Sequence, residues 1–75
     1  MNYKLYEVKY NCVFIISGRA LVCEKNRKNA TGLLEDILAE NYNCKKEDLG
    51  FKAMKVKDLG YKVNKKGIIS INFNQ

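Results

Sequence analysis

The groups in this 75-residue chain that could do chemistry are three thiols, eight carboxylates, two serine hydroxyls and a large set of lysines. Histidine is absent, which removes the commonest general base and the commonest metal ligand. Ser17 and Ser70 have no base that the sequence places beside them. Cys12, Cys23 and Cys44 are odd in number and widely spaced, so they form neither a disulfide framework nor a metal knuckle. In apolar strands Cys12 and Cys23 serve as small hydrophobes, and Cys44 follows a helix C-terminus, where the dipole disfavours a thiolate. The acids Glu35, Asp36, Glu40, Glu47 and Asp48 read as a solvated helix face rather than a catalytic pair. The glycines are isolated, and none heads a strand-to-helix turn that could cradle phosphate. The expectation is a protein that is not an enzyme, with no cofactor and no metal.

The lysines are more informative. The chain carries a net charge of +6, and five of its eight acids fall within residues 35–48. Residues 50–67 hold Lys52, Lys55, Lys57, Lys62, Lys65 and Lys66 against one acid, Asp58, with Tyr61 among them. Such a segment attracts a phosphate backbone. It is therefore the candidate site for a partner or for nucleic acid. Two facts weigh on the other side: lysines also blunt sheet edges and maintain solubility, and only Arg19 and Arg27 offer guanidinium forks. The abundance of Lys, Asn and Ile is also what AT-rich coding DNA produces. A second candidate surface is apolar. Val13 and Ile15, on the reverse of the first strand, with Val22 across the hairpin, would form a self-association patch and a route to a homodimer.

The elements that must position these groups follow from periodicity. Residues 3–17 alternate, with Tyr6, Val8, Tyr10, Cys12, Phe14 and Ile16 on one face and Glu7, Lys9 and Asn11 on the other. Gly18 fits a type II′ turn, which would set Leu21 opposite Ile16 and Cys23 opposite Phe14. A rival parse places the turn at Tyr10-Asn11-Cys12 and makes Gly18 a bulge. Asn29 is the expected N-cap of an amphipathic helix over 30–42, with Ala30, Leu33, Leu34, Ile37, Leu38 and Tyr42 on its apolar stripe. Residues 45–48 can add one more helical turn. A third strand over 51–57 would point Met54 and Val56 inward and Lys55 and Lys57 outward. Residues 58–67 read as a loop or hairpin arm. The last strand, 68–73, would point Ile69, Ile71 and Phe73 to one side.

The order β-β-α-β-β predicts a single α+β domain over residues 1–75: two hairpins joined by a helix, in one mainly antiparallel four-stranded sheet. The helix covers one face, and Glu7, Lys9, Lys55 and Lys57 lie on the other with Asn72 nearby. The longest apolar run, Cys12–Ile16, is far too short for a membrane span, and the N-terminus does not resemble a signal peptide. A cytoplasmic protein without membrane contact is expected.

The long alternating strand, Ser17-Gly18 turn, short second strand, Asn29-headed helix and basic strand pair resemble small phage- and plasmid-encoded proteins, among them anti-CRISPR inhibitors of this size. That resemblance is one of layout and carries no residue assignments. It implies a protein-binding module that occupies a surface of a host nucleoprotein complex. Direct nucleic-acid binding through residues 52–66 is the second reading, and an oligomeric structural or assembly protein is the third.

Overall fold

Alternation builds strand β1 (Tyr3–Asn11), burying Tyr6, Val8 and Tyr10 and leaving Lys4 and Asn11 in solvent. The computed structural model describes residues 2–13 and 17–74, with side chains up to residue 71, and in it this strand stops at Asn11. Its partner β2 (Ser17–Glu24) pairs antiparallel over eight positions, from Lys4↔Glu24 to Asn11↔Ser17. The turn expected at Gly18 is thus overturned. Gly18 is buried within β2 opposite Tyr10, in a regular pair rather than a bulge, and β1 ends at Asn11, well before Gly18. Leu21 lies opposite Glu7 and Cys23 opposite Leu5, not opposite Ile16 and Phe14. The earlier turn wins because it gives eight consecutive cross-strand pairs, with a residue lacking a side chain beside the bulky Tyr10. Phe14, Ile15 and Ile16 lie outside the described residues.

Helix α1 (Arg27–Asn41) begins three residues earlier than expected. Asn26, in an extended conformation, caps it by accepting a hydrogen bond at 2.8 Å from the Asn29 backbone N–H. Either asparagine is a competent cap, and nothing in residues 27–29 breaks a helix, so the earlier one wins. At the other end Asn43 takes a left-handed conformation (φ 52°). The Cys44 N–H then donates to the Ala39 carbonyl and the Asn43 N–H to that of Glu40, closing a Schellman motif that aims Cys44 back at the core. The apolar stripe buries Ala30, Leu34, Leu38 and Ala39 completely or nearly so, whereas Leu33, Ile37 and Tyr42 are half-buried. A short second helix, α2 (Lys46–Leu49), inserts Leu49 into the same core.

Strands β3 (Lys52–Val63) and β4 (Gly67–Asn74) take opposite edges, giving an antiparallel sheet of order β3-β1-β2-β4. The expected second hairpin is therefore absent: residues 64–66 carry the chain across the end of the sheet from one edge to the other. This order puts β1 and β2, which bury Tyr6, Val8, Tyr10, Ala20 and Val22, at the centre, each with two partners, and the lysine-rich β3 at an edge that water can solvate. Much of the loop expected over 58–67 is strand. The architecture is α+β, one four-stranded antiparallel sheet with one main helix on a single face.

Two register shifts reverse inward assignments. Lys9 pairs with Lys55 but Tyr10 with Ala53, so Met54 is the extra residue and stands 55% exposed while Ala53 packs inward. Leu21 pairs with Ser70 but Val22 with Ile68, so Ile69 is extruded at 59% exposure and Ile68 takes the core position. One added residue per bulge inverts local alternation, a change that period-two reading cannot anticipate.

Gly50 ends α2 in the left-handed region (φ 59°), directly against Val13, whose N–H donates to the Leu49 carbonyl at 2.9 Å. A Cβ at position 50 would overlap the Val13 side chain. Gly50→Ala combines that overlap with left-handed backbone strain and is expected to cost about 1–2 kcal/mol in urea unfolding. A midpoint unchanged from wild type would contradict this packing.

Candidate anion-binding sheet face

The face opposite the helix is assembled by strand register. One row runs Lys55, Lys9, Arg19 across β3, β1 and β2, and continues to the Asn72 backbone of β4. The next row is Lys57, Glu7, Leu21, Ser70, and the row on the other side is Lys52, Asn11, Ser17, Asn74. Neighbouring strands lie about 4.8 Å apart, so the first row sets three cations side by side with no carboxylate between them. Like charges directly opposite destabilise a sheet. Among the described residues none of Lys9, Arg19, Lys55, Lys57 or Lys52 forms an ion pair; the two ion pairs found are Lys46–Asp36 and Lys66–Glu24. Glu7 alone opposes five cations on this face. The helical layer, by contrast, carries five acids against Arg27, Lys28, Lys45 and Lys46. The positive charge is concentrated on the sheet.

Arg19 is the pivot of this surface. It lines a shallow depression of about 220 Å³ with Lys9, Asn11, Ser17 and Met54, and a second of about 150 Å³ with Glu7, Leu21 and Ser70. The bulge that extrudes Met54 therefore places a flexible apolar chain beside the cation row.

The seven residues expected to contact a partner divide between two places. Lys52, Lys55 and Lys57 are exposed on the open face. Tyr61 is 63% exposed toward the far end of β3, and by alternation shares the side of Val63 and Tyr3. Lys62 pairs with Lys4 and lies on the other side. With Lys65, Lys66 and the apolar Cys23, Val63, Ile68 and Ile69 it borders a groove of about 560 Å³ at the crossover. Lys66 is committed elsewhere: its ammonium lies 3.3 Å from the buried carboxylate of Glu24. The spacing of the lysines in sequence thus overstates their clustering in space. Arg19 was missed as a site residue because the later turn consigned it to the loop. Lys9 was placed on the correct face but not recognised as the centre of the row.

The apolar self-association patch does not form as expected. Val22 is fully buried under the helix, since its pairing with Tyr6 places it on the core face. Val13 is 63% exposed but lies beyond the end of β1, and Ile15 is outside the described residues.

Two of the three thiols, Cys12 and Cys23, are buried. Burial pushes the Cys12 thiol up, with Cys44 and Glu35 adding to the shift, and burial raises Cys23 in the same direction. Both favour the un-nucleophilic thiol. Among the described residues no three Cys, Asp or Glu side chains gather into a metal site, and no helix is long and apolar enough to cross a membrane. Tyr10 is 1% exposed, its ring stacks on Phe51 at 6.0 Å, and its hydroxyl has no hydrogen-bond partner among the described residues. Burial, with Tyr42 and Cys12 nearby, pushes its pKa up to about 12. The folded state thus holds this proton more tightly than the unfolded chain, whose tyrosine titrates near 10. Stability associated with Tyr10 is full below pH 10 and falls as pH rises from 10 toward 12. Tyr10→Phe is expected to change stability at pH 7 by between 0 and about +1 kcal/mol and to flatten the alkaline limb of a melting-temperature profile. An equally steep alkaline loss in the variant would place its origin elsewhere. No known protein family matches the chain, and neither a curated protein nor a solved structure matches it at a significant level.

Proposed function

We propose that the chain is a non-enzymatic binding module that lays its open sheet face along nucleic-acid phosphates. The observation that carries this reading is the row Lys55–Lys9–Arg19, three cations at successive strand positions without a neutralising partner among the described residues. A fold gains nothing from this arrangement, because like charges abreast weaken the sheet. A polyanion turns the same repulsion into attraction and releases counterions as it binds. The inhibitor role expected from the layout is a narrower form of this proposal, in which the phosphates belong to a host nucleoprotein complex.

Fluorescence anisotropy with labelled single strands and duplexes tests it. Four or five phosphate contacts predict that affinity falls roughly 50- to 500-fold between about 50 and about 200 mM salt. Binding that does not respond to salt, or no binding at the lower salt, would remove nucleic acid as the partner and favour a protein surface.

A further inference from the structure

The two edges of the sheet differ in a way that the binding face does not explain. Edge β3 is protected by the usual devices: Lys52, Lys55, Lys57, Asp58 and Lys62 along it, and two register irregularities against β1. Edge β4 reads Gly-Ile-Ile-Ser-Ile-Asn-Phe-Asn and contains no charged residue and no proline. Its single bulge lies near its start, at Ile69, and from Ser70 to Asn74 the strand pairs regularly with β2. Its outer side is unpaired in the sheet. In a chain of charge +6, this is the strand edge along which a second copy can approach without setting lysine against lysine.

We infer that β4 is the interface of a homodimer, in which two β4 strands pair antiparallel about a two-fold axis and join two sheets into one of eight strands. The occupant is another copy because the edge is uncharged and self-compatible, whereas pairing β3 with β3 would juxtapose Lys52, Lys55, Lys57 and Lys62 with their equivalents. Pairing β4 of one copy with β3 of the next would leave free edges at both ends and generate filaments rather than a closed pair. Symmetry adds a consequence. A two-fold axis that relates antiparallel strands of one continuous sheet runs perpendicular to it. Both open faces therefore lie on the same side, and both helices on the other. The inference does not depend on what the basic face binds.

Light scattering and amide hydrogen exchange across a dilution series test it. The expected result is a species of twice the 8.7 kDa chain mass that dissociates on dilution, with protection rising with concentration at residues 70–74 and not along β3. Ile69→Lys introduces a charge on the same edge at an exposed position. It should weaken dimerisation at least tenfold while leaving the circular dichroism spectrum unchanged. A monomer at the highest soluble concentration would overturn the interface. So would filaments, or concentration-dependent protection confined to β3 or the helices. A dimer that survives in folded Ile69→Lys with unprotected residues 70–74 would overturn it as well.

Discussion

Leu34→Ala is expected to lower unfolding free energy by about 3–4 kcal/mol, whereas Ile37→Ala costs only about 1 kcal/mol. Both residues belong to the apolar stripe of α1, and by periodicity alone they are equivalent. The structure separates them: Leu34 is 0% exposed at the centre of the core, while Ile37 is half-buried at its margin. Truncating Leu34 removes three side-chain carbons and leaves a cavity in the buried core that close packing cannot readily close. Truncating Ile37 lets water take the vacated space, and only the transfer energy is lost. A small domain has a total stability of about 5–10 kcal/mol, so Leu34→Ala should bring the melting temperature down by well over ten degrees. Chemical denaturation of the two variants checks the contrast. Equal losses would mean that the helix is rotated about its axis relative to the sheet.

Reversing Lys9 and Arg19 together to glutamate should weaken binding to labelled nucleic acid by roughly 100-fold and reduce the salt slope by about 2. The same change should not destabilise the fold. Lys9→Glu alone places a carboxylate between Lys55 and Arg19, converting two repulsive cross-strand pairs to attractive ones and raising stability by about 0.5–1 kcal/mol. Loss of binding together with a gain in stability is the signature of a site retained against the interest of the fold. A purely structural lysine would give no such pair of effects. Lys65→Glu, at the crossover rather than in the row, is the control and should weaken binding far less. Lys66 cannot serve that purpose, because replacing it strands the buried Glu24 carboxylate and lowers stability. If the Lys9 and Arg19 double reversal binds normally while Lys65→Glu does not, the contact surface lies at the crossover groove.

The sheet face also bears on how much positive charge can be explained by codon usage. Composition accounts for lysines anywhere on a surface, but it does not select strand positions that fall abreast. Lys9 and Lys55 are 46 residues apart in sequence and meet only through the β1–β3 pairing. Arg19 joins them through the β1–β2 register. The helical layer of the same molecule has nearly balanced charge, so the asymmetry resides in the fold rather than in the average composition.

Local patterns determined the element types. Alternation in Tyr6, Val8 and Tyr10 and the 3.6-residue repeat of Ala30, Leu34 and Leu38 each encode a buried face directly, because side-chain direction follows backbone geometry within a few residues. That sufficed for the ββαββ order, for the helix lying on one face, and for the outward placement of Glu7, Lys9, Lys55 and Lys57. It also sufficed for the absence of histidine and of any phosphate-cradling glycine motif.

What required the tertiary structure was everything that depends on relations between distant segments. Gly18 entered strand β2 instead of a turn because the energy of eight consecutive pairs outweighs a local turn preference. Met54 and Ile69 turned outward because two bulges, fixed by the partner strands, shift the alternation. Val22 entered the core through its pairing with Tyr6. Above all, strand order sent β3 and β4 to opposite edges, which dispersed one run of lysines and brought Lys55, Lys9 and Arg19 into line. Periodicity reports which way a side chain points, but only the hydrogen-bonded register decides which side chain stands beside it.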